Sequence, residues 1–120
     1  MTRFIRISAL LLLAACGTGS SEPSDGSAPL LSIDAPLNNA IVSGQVSIDI
    51  SAFDDFGVDK VEVFIDNVSL IVMFNPPFHT LWNTQSLAND SQHEIKVIAQ
   101  DVAKNKTTRV VTVKVQNGVQ

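Results

Sequence analysis

From residue 30 onward, apolar and polar residues alternate in short runs. Gln45 to Phe53 (QVSIDISAF) sets Val46, Ile48, Ile50 and Ala52 on one side and Ser47, Asp49 and Ser51 on the other. A period of two belongs to a strand with one face buried and one in water. The pattern recurs in Val58–Asp66 with Val61, Val63 and Ile65, and in His93–Asp101 with Ile95, Val97 and Ala99. Thr107–Val115 repeats it with Val111, Val113 and Val115. Shorter runs at Leu30–Asp34, Ser69–Phe74 and Phe78–Trp82 predict three further strands. The breaks between runs carry turn chemistry, including Pro36-Leu37-Asn38-Asn39, Asp54-Asp55-Phe56-Gly57 and Asn75-Pro76-Pro77. Asp66-Asn67 suits a tight hairpin, because both residues tolerate left-handed backbone angles. About seven short strands at even spacing, with no helical period among them, predict an all-β, immunoglobulin-like Greek-key sandwich over residues 30–117.

One run departs from the alternation. Leu70-Ile71-Val72-Met73-Phe74 is apolar at every position. Either its second face is covered within the domain, or Leu70, Val72 and Phe74 form a contact patch for a partner. Pro76-Pro77 would guard its end against open-ended strand pairing.

The first 29 residues follow another logic. Arg3 and Arg6 precede an uncharged apolar run, Ile7–Ala15, which is the layout of a secretory signal. The run is too short to span a bilayer as a helix, which takes roughly 20 apolar residues. Leu13-Ala14-Ala15-Cys16 resembles the bacterial lipobox. That resemblance implies removal of residues 1–15, a diacylglyceryl group on the Cys16 sulfur and an acyl chain on its new amine. It would also account for the single cysteine, which has no partner for an internal disulfide. The alternative is an ordinary signal peptide that happens to contain a Cys. Gly17, where Asp would stand in a retained lipoprotein, resembles the outer-membrane sorting pattern of enterobacteria. The expected location is therefore the cell envelope, lipid-anchored, at the outer membrane. Residues 16–29 continue as a Gly/Ser/Pro-rich stretch that predicts a disordered spacer, with a root-mean-square reach of roughly 20 Å for about 13 residues.

Charge and candidate chemistry narrow the reading. The net charge is −4, and cleavage before Cys16 would leave six basic against twelve acidic residues. The basic residues form neither patch nor stripe, so nucleic acid is not an expected partner. His79 and His93 are the only histidines. Neither sits in a metalloprotease or nucleophile-elbow motif, and no glycine loop cradles phosphate, so no catalytic residues are expected. Asp54, Asp55, Asp101 and Asn105 fall in two loops that share one pole of such a sandwich. They could gather around Ca²⁺, which favours six to eight oxygen ligands, or cap their own turns through backbone amides. Trp82, the only tryptophan, is either a core residue or a platform for stacking a sugar.

Four segments occur in order: SIDAPLNN (32–39), DDFGVDKVEVFIDN (54–67), PPFHTLWNT (76–84) and HEIKVIAQDVAKN (93–105). Together they resemble the bacterial immunoglobulin-like domains repeated in many secreted and surface proteins, from Leu31 to about Asn117. The pattern differs at Lys104 and at Ser91-Gln92, where that family often has Gly and where a positive φ would strain other residues. The resemblance implies spacing, adhesion or recognition, and not catalysis. The expected function is a lipid-anchored module for protein interaction or adhesion, with an envelope or surface protein as partner. The alternatives are a structural accessory of an envelope or secretion complex and a carbohydrate-binding module with a polysaccharide partner.

Overall fold

The computed structural model describes residues 26–118. The expected signal segment, Cys16 and the spacer as far as residue 25 lie outside the described residues. Eight strands follow one another: β1 (Leu30–Ala35), β2 (Ile41–Val42), β3 (Gln45–Phe53), β4 (Val58–Ile65), β5 (Val68–Met73), β6 (Phe78–Asn83), β7 (Gln92–Asp101) and β8 (Lys106–Val115). They form a three-stranded sheet in the order β1-β3-β6 and a five-stranded sheet in the order β2-β8-β7-β4-β5. Every pairing is antiparallel except β2 with β8. The chain passes between the sheets after β1, β2, β3, β5 and β6, giving the all-β sandwich that the alternation predicts.

The core is the inner face of both sheets. Ile48 from the smaller sheet and Val61, Val63, Ile95, Val97, Ala99 and Val115 from the larger one are fully buried. Cross-strand register lines them up, with Val61 opposite Ala99 and Val63 opposite Val97. Residues two apart share a face, so each alternating run delivers its apolar set to one layer. Trp82 lies in this core, as the first of its two readings expects.

β2 has no counterpart in the sequence pattern. Two residues cannot display a period. The strand exists because Ile41 and Val42 pair with Lys114 and Val115 of β8, a contact made more than 70 residues away. Asn39, at φ 69°, turns the chain into that position, and its amide donates to the Thr112 carbonyl at 2.7 Å.

The turns bear out most of the expected chemistry. Asp66 and Asn67 take φ of 51° and 69°, the double left-handed geometry of a two-residue hairpin. Lys104 stands at φ 76°, in the conformation that a glycine would hold without strain. In the turn before His93 the left-handed residue is Asp90, at φ 68°, rather than Ser91 or Gln92. Aspartate tolerates this region better than most side chains, and the Asp90 amide is held by the Val115 carbonyl at 2.8 Å.

The topology puts the two ends of the described chain at opposite poles. The chain enters beside loops 54–57, 74–77 and 102–105, and residue 118 leaves beside loops 66–67 and 84–91. At the entry pole Pro29 is buried. Its carbonyl accepts from Thr107 Oγ1 at 2.6 Å, and the Ser27 carbonyl accepts from Asn105 Nδ2 at 3.4 Å.

Candidate functional site

β5 is the outer strand of the five-stranded sheet. It pairs with β4 along one side, Val61 opposite Met73, Glu62 opposite Val72 and Val63 opposite Ile71, with a bulge that leaves Leu70 unpaired. Every residue from Val68 to Val72 is exposed, and so is Phe74. Leu70 is 39% exposed, Ile71 and Val72 each 36%, and Phe74 61%. No described element covers the second face of the run. Ser69 Oγ donates to Glu62 Oε2 at 2.7 Å and is the one polar side chain of the strand. Leu70, Val72 and Phe74 thus share one continuous exposed edge of the sandwich.

The four residues at the entry pole do come together as loops. Val58 pairs with Asp101, and the Val102 amide donates to the Gly57 carbonyl at 3.3 Å. The carboxylate oxygens of Asp54 and Asp101 point into their own turns. Asp54 Oδ2 accepts from the Phe56 amide at 3.0 Å. Asp101 is fully buried, and its Oδ1 accepts from the amides of Ala103 and Asn105 at 2.9 and 2.8 Å. Asn105 Nδ2 donates to Asp101 Oδ2 at 3.1 Å. Asp55 is exposed. Asp54 and Asp101 thus cap their own turns. Among the described residues, no three His, Cys, Asp or Glu side chains are grouped to hold a metal ion.

The exit pole holds a cluster that sequence reasoning did not find. His93 Nδ1 lies 2.6 Å from Asp66 Oδ2, and His93 Nε2 lies 2.9 Å from Ser91 Oγ. The His93 ring also meets Trp82 edge-on, with centroids 5.8 Å apart. Carboxylate, imidazole and hydroxyl stand in the order of a hydrolytic relay. Ser91 Oγ, however, donates to the Ala88 carbonyl of its own loop, so its proton closes a turn. The cluster joins the 66–67 hairpin to the 84–91 loop over the core tryptophan. No local motif could have shown it, because Asp66 lies 27 residues from His93. Beside it, buried Thr84 donates to the Gly44 carbonyl at 2.8 Å. Asn117 Oδ1 accepts from the Gly44 amide, also at 2.8 Å, and Asn117 Nδ2 donates to the Thr84 carbonyl at 2.6 Å. On the outer face of the smaller sheet, His79 Nδ1 lies 2.6 Å from Asp49 Oδ1. Each histidine thus sits within hydrogen-bond distance of a carboxylate.

The Asp66 pair makes stability depend on pH. Partial burial pushes the Asp66 carboxyl upward. The hydrogen bonds from His93 and from the Glu94 amide, together with the His93 charge, outweigh that and hold it below its usual 3.8. A depressed folded value contributes stability that is present above the unfolded value and lost as pH falls through the folded one. Asp66→Asn is expected to flatten the loss of stability below pH 3.8, read as urea midpoints across an acid series. Equal slopes in both proteins would remove Asp66 as a source of acid sensitivity.

A family model described as bacterial Ig domain matches residues 29–97. No curated protein matches. Among solved structures, the fibronectin(III)-like modules of Clostridium thermocellum CbhA are similar at 23% identity and a TM-score of 0.63, over 75% of this chain and 100% of theirs. The endo-β-1,4-mannanase of Thermotoga petrophila is similar at 18% identity and a TM-score of 0.61, over 78% of this chain. The spore cortex lytic enzyme SleM of Clostridium perfringens is similar at 13% identity and a TM-score of 0.51, over 69%. The match spans only 21% and 30% of the two enzymes' own lengths, and at these identities the likeness concerns the fold. The two-sheet topology, the inward alternation and a family match across more than half of the chain agree: the chain belongs to the bacterial Ig domain family.

Proposed function

We propose that the chain is a non-catalytic interaction module, tethered by lipid on Cys16 at the cell envelope and binding a protein partner through β5. The observation that carries the binding is the exposed apolar edge at Leu70, Val72 and Phe74. Soluble domains seldom leave a run of this kind open unless something covers it. The lipobox-like Leu13-Ala14-Ala15-Cys16 supports the tether. Two or three acyl chains hold a protein firmly to a bilayer, at about 0.8 kcal/mol per buried methylene. Buried Trp82 offers no open stacking face for a sugar, which favours a protein over a polysaccharide.

The test uses the full chain in a Gram-negative host fed labelled palmitate. The wild type should take up label and sediment with membranes, and Cys16→Ala should do neither. Val72→Glu should stay labelled and folded, by Trp82 fluorescence, yet lose its co-purifying partner. An unlabelled wild type would refute the lipid tether. Unchanged partner recovery with Val72→Glu would refute β5 as the contact.

A further inference from the structure

We infer that the occupant of the β5 edge is a second copy of this chain, joined edge to edge by antiparallel pairing of the two β5 strands. The inference rests on the interaction reading above and names its partner. The free side of β5 presents a row of backbone donors and acceptors, and what satisfies such a row is another strand. Three observations favour a copy of the same strand.

The first is charge. No residue from Asn67 to Phe78 is charged, in a chain whose net charge is −4. Two like-charged molecules can approach along this edge without setting like charges against each other, whereas a strongly charged partner would find no counter-charge in it. The second is self-complementarity. A two-fold axis through Val72 sets Val72 against Val72, Ile71 against Met73 and Leu70 against Phe74. Apolar residues then meet apolar residues, and shifting the axis to Ile71 keeps Leu70 against Val72. Such an interface is isologous and closes at two copies, so it does not propagate. The third is the contrast with the other edges. β1 carries Asp34, β6 carries the polar His79, and β2 is two residues long; polar side chains and brevity guard those edges. β5 has the bulge at Leu70 and Pro76-Pro77 beyond its end, which limit the length of pairing without blocking it.

A six-residue edge buries less than the roughly 1,200 Å² of a stable complex, so the association is expected in the micromolar range. Sedimentation of the full chain in mild detergent tests it. The wild type should pass from monomer to dimer between about 1 and 100 μM, the range set by so small an interface. Val72→Glu and Val72→Lys should each weaken the dimer at least tenfold. An equimolar mixture of the two should recover it, because opposite charges then face each other across the axis. Trp82 fluorescence checks that both variants are folded. A wild type that stays monomeric at 100 μM, or variants that dimerise like the wild type, would overturn the inference. If the monomeric chain still captures a different protein in a Val72-dependent way, only the second-copy occupant fails and the interaction reading stands. If neither dimerisation nor capture responds to Val72, both fail.

Discussion

Trp82→Ala is expected to lower the free energy of unfolding by about 3–5 kcal/mol. The side chain is 6% exposed. It sits on β6 opposite Val46, and its ring meets His93 edge-on at 5.8 Å. Removing it loses the transfer free energy of the largest apolar group in the core. It also leaves a cavity that two hydrogen-bonded sheets can close only in part. Domains of this size have total stabilities of about 5–15 kcal/mol, so the variant should lose roughly a fifth or more of its margin. Trp82→Phe keeps most of the ring and should cost about 1–2 kcal/mol. Urea unfolding followed by circular dichroism checks both, since the fluorophore is gone. A loss under about 1 kcal/mol for alanine, small for a core site, would mean that Trp82 is not part of the core that this structure gives it.

Asp101→Ala should come next, at about 2–4 kcal/mol, because it strips the acceptor from two turn amides and one side-chain amide. Those donors, the backbone N–H of Ala103 and Asn105 and the Asn105 side chain, lie within 3.1 Å of the carboxylate. The same turn holds Lys104 at φ 76°, a conformation that the backbone does not adopt unaided. Asp101→Asn keeps one acceptor oxygen and should cost about half as much. The measurement also separates the two readings of this pole. A cap contributes equally in calcium and in EDTA. A cation site would make the penalty of Asp101→Ala appear with calcium and vanish with the chelator.

What could be read from the sequence and what could not follows the distance over which each feature is decided. The bounds of β3, Gln45–Phe53, coincide with the expected strand because alternation is a local signal. β4, β7 and β8 differ from it by a residue at one end for the same reason. The Asp66-Asn67 hairpin and the Asp101 cap were legible because turn chemistry is written within four or five residues. β2 was not, since its two residues owe their conformation to β8. The Ser91–His93–Asp66 cluster and the Thr84–Asn117–Gly44 staple were hidden likewise, as each joins side chains from separate loops. The apolar run 70–74 was visible, but whether it was covered depended on which strand lay outside it, and that is a property of sheet order. At Asp90 the strained residue fell one position before the expected pair, because the loop's bond to Val115 set where the chain reverses.

The separation of the two ends of the described chain has a mechanical consequence. A pull between residues 26 and 118 runs along the strands. It draws β2 toward the entry pole and β8 toward the exit pole. Those two strands are parallel neighbours, Ile41 beside Lys114 and Val42 beside Val115, so their lateral hydrogen bonds lie across the load and must rupture together instead of one at a time. The Gly44–Asn117 bond, 2.8 Å from backbone amide to side chain, braces the same junction. Under tension the domain should therefore behave as a stiff link, yielding at the two-residue strand that the sequence pattern did not reveal.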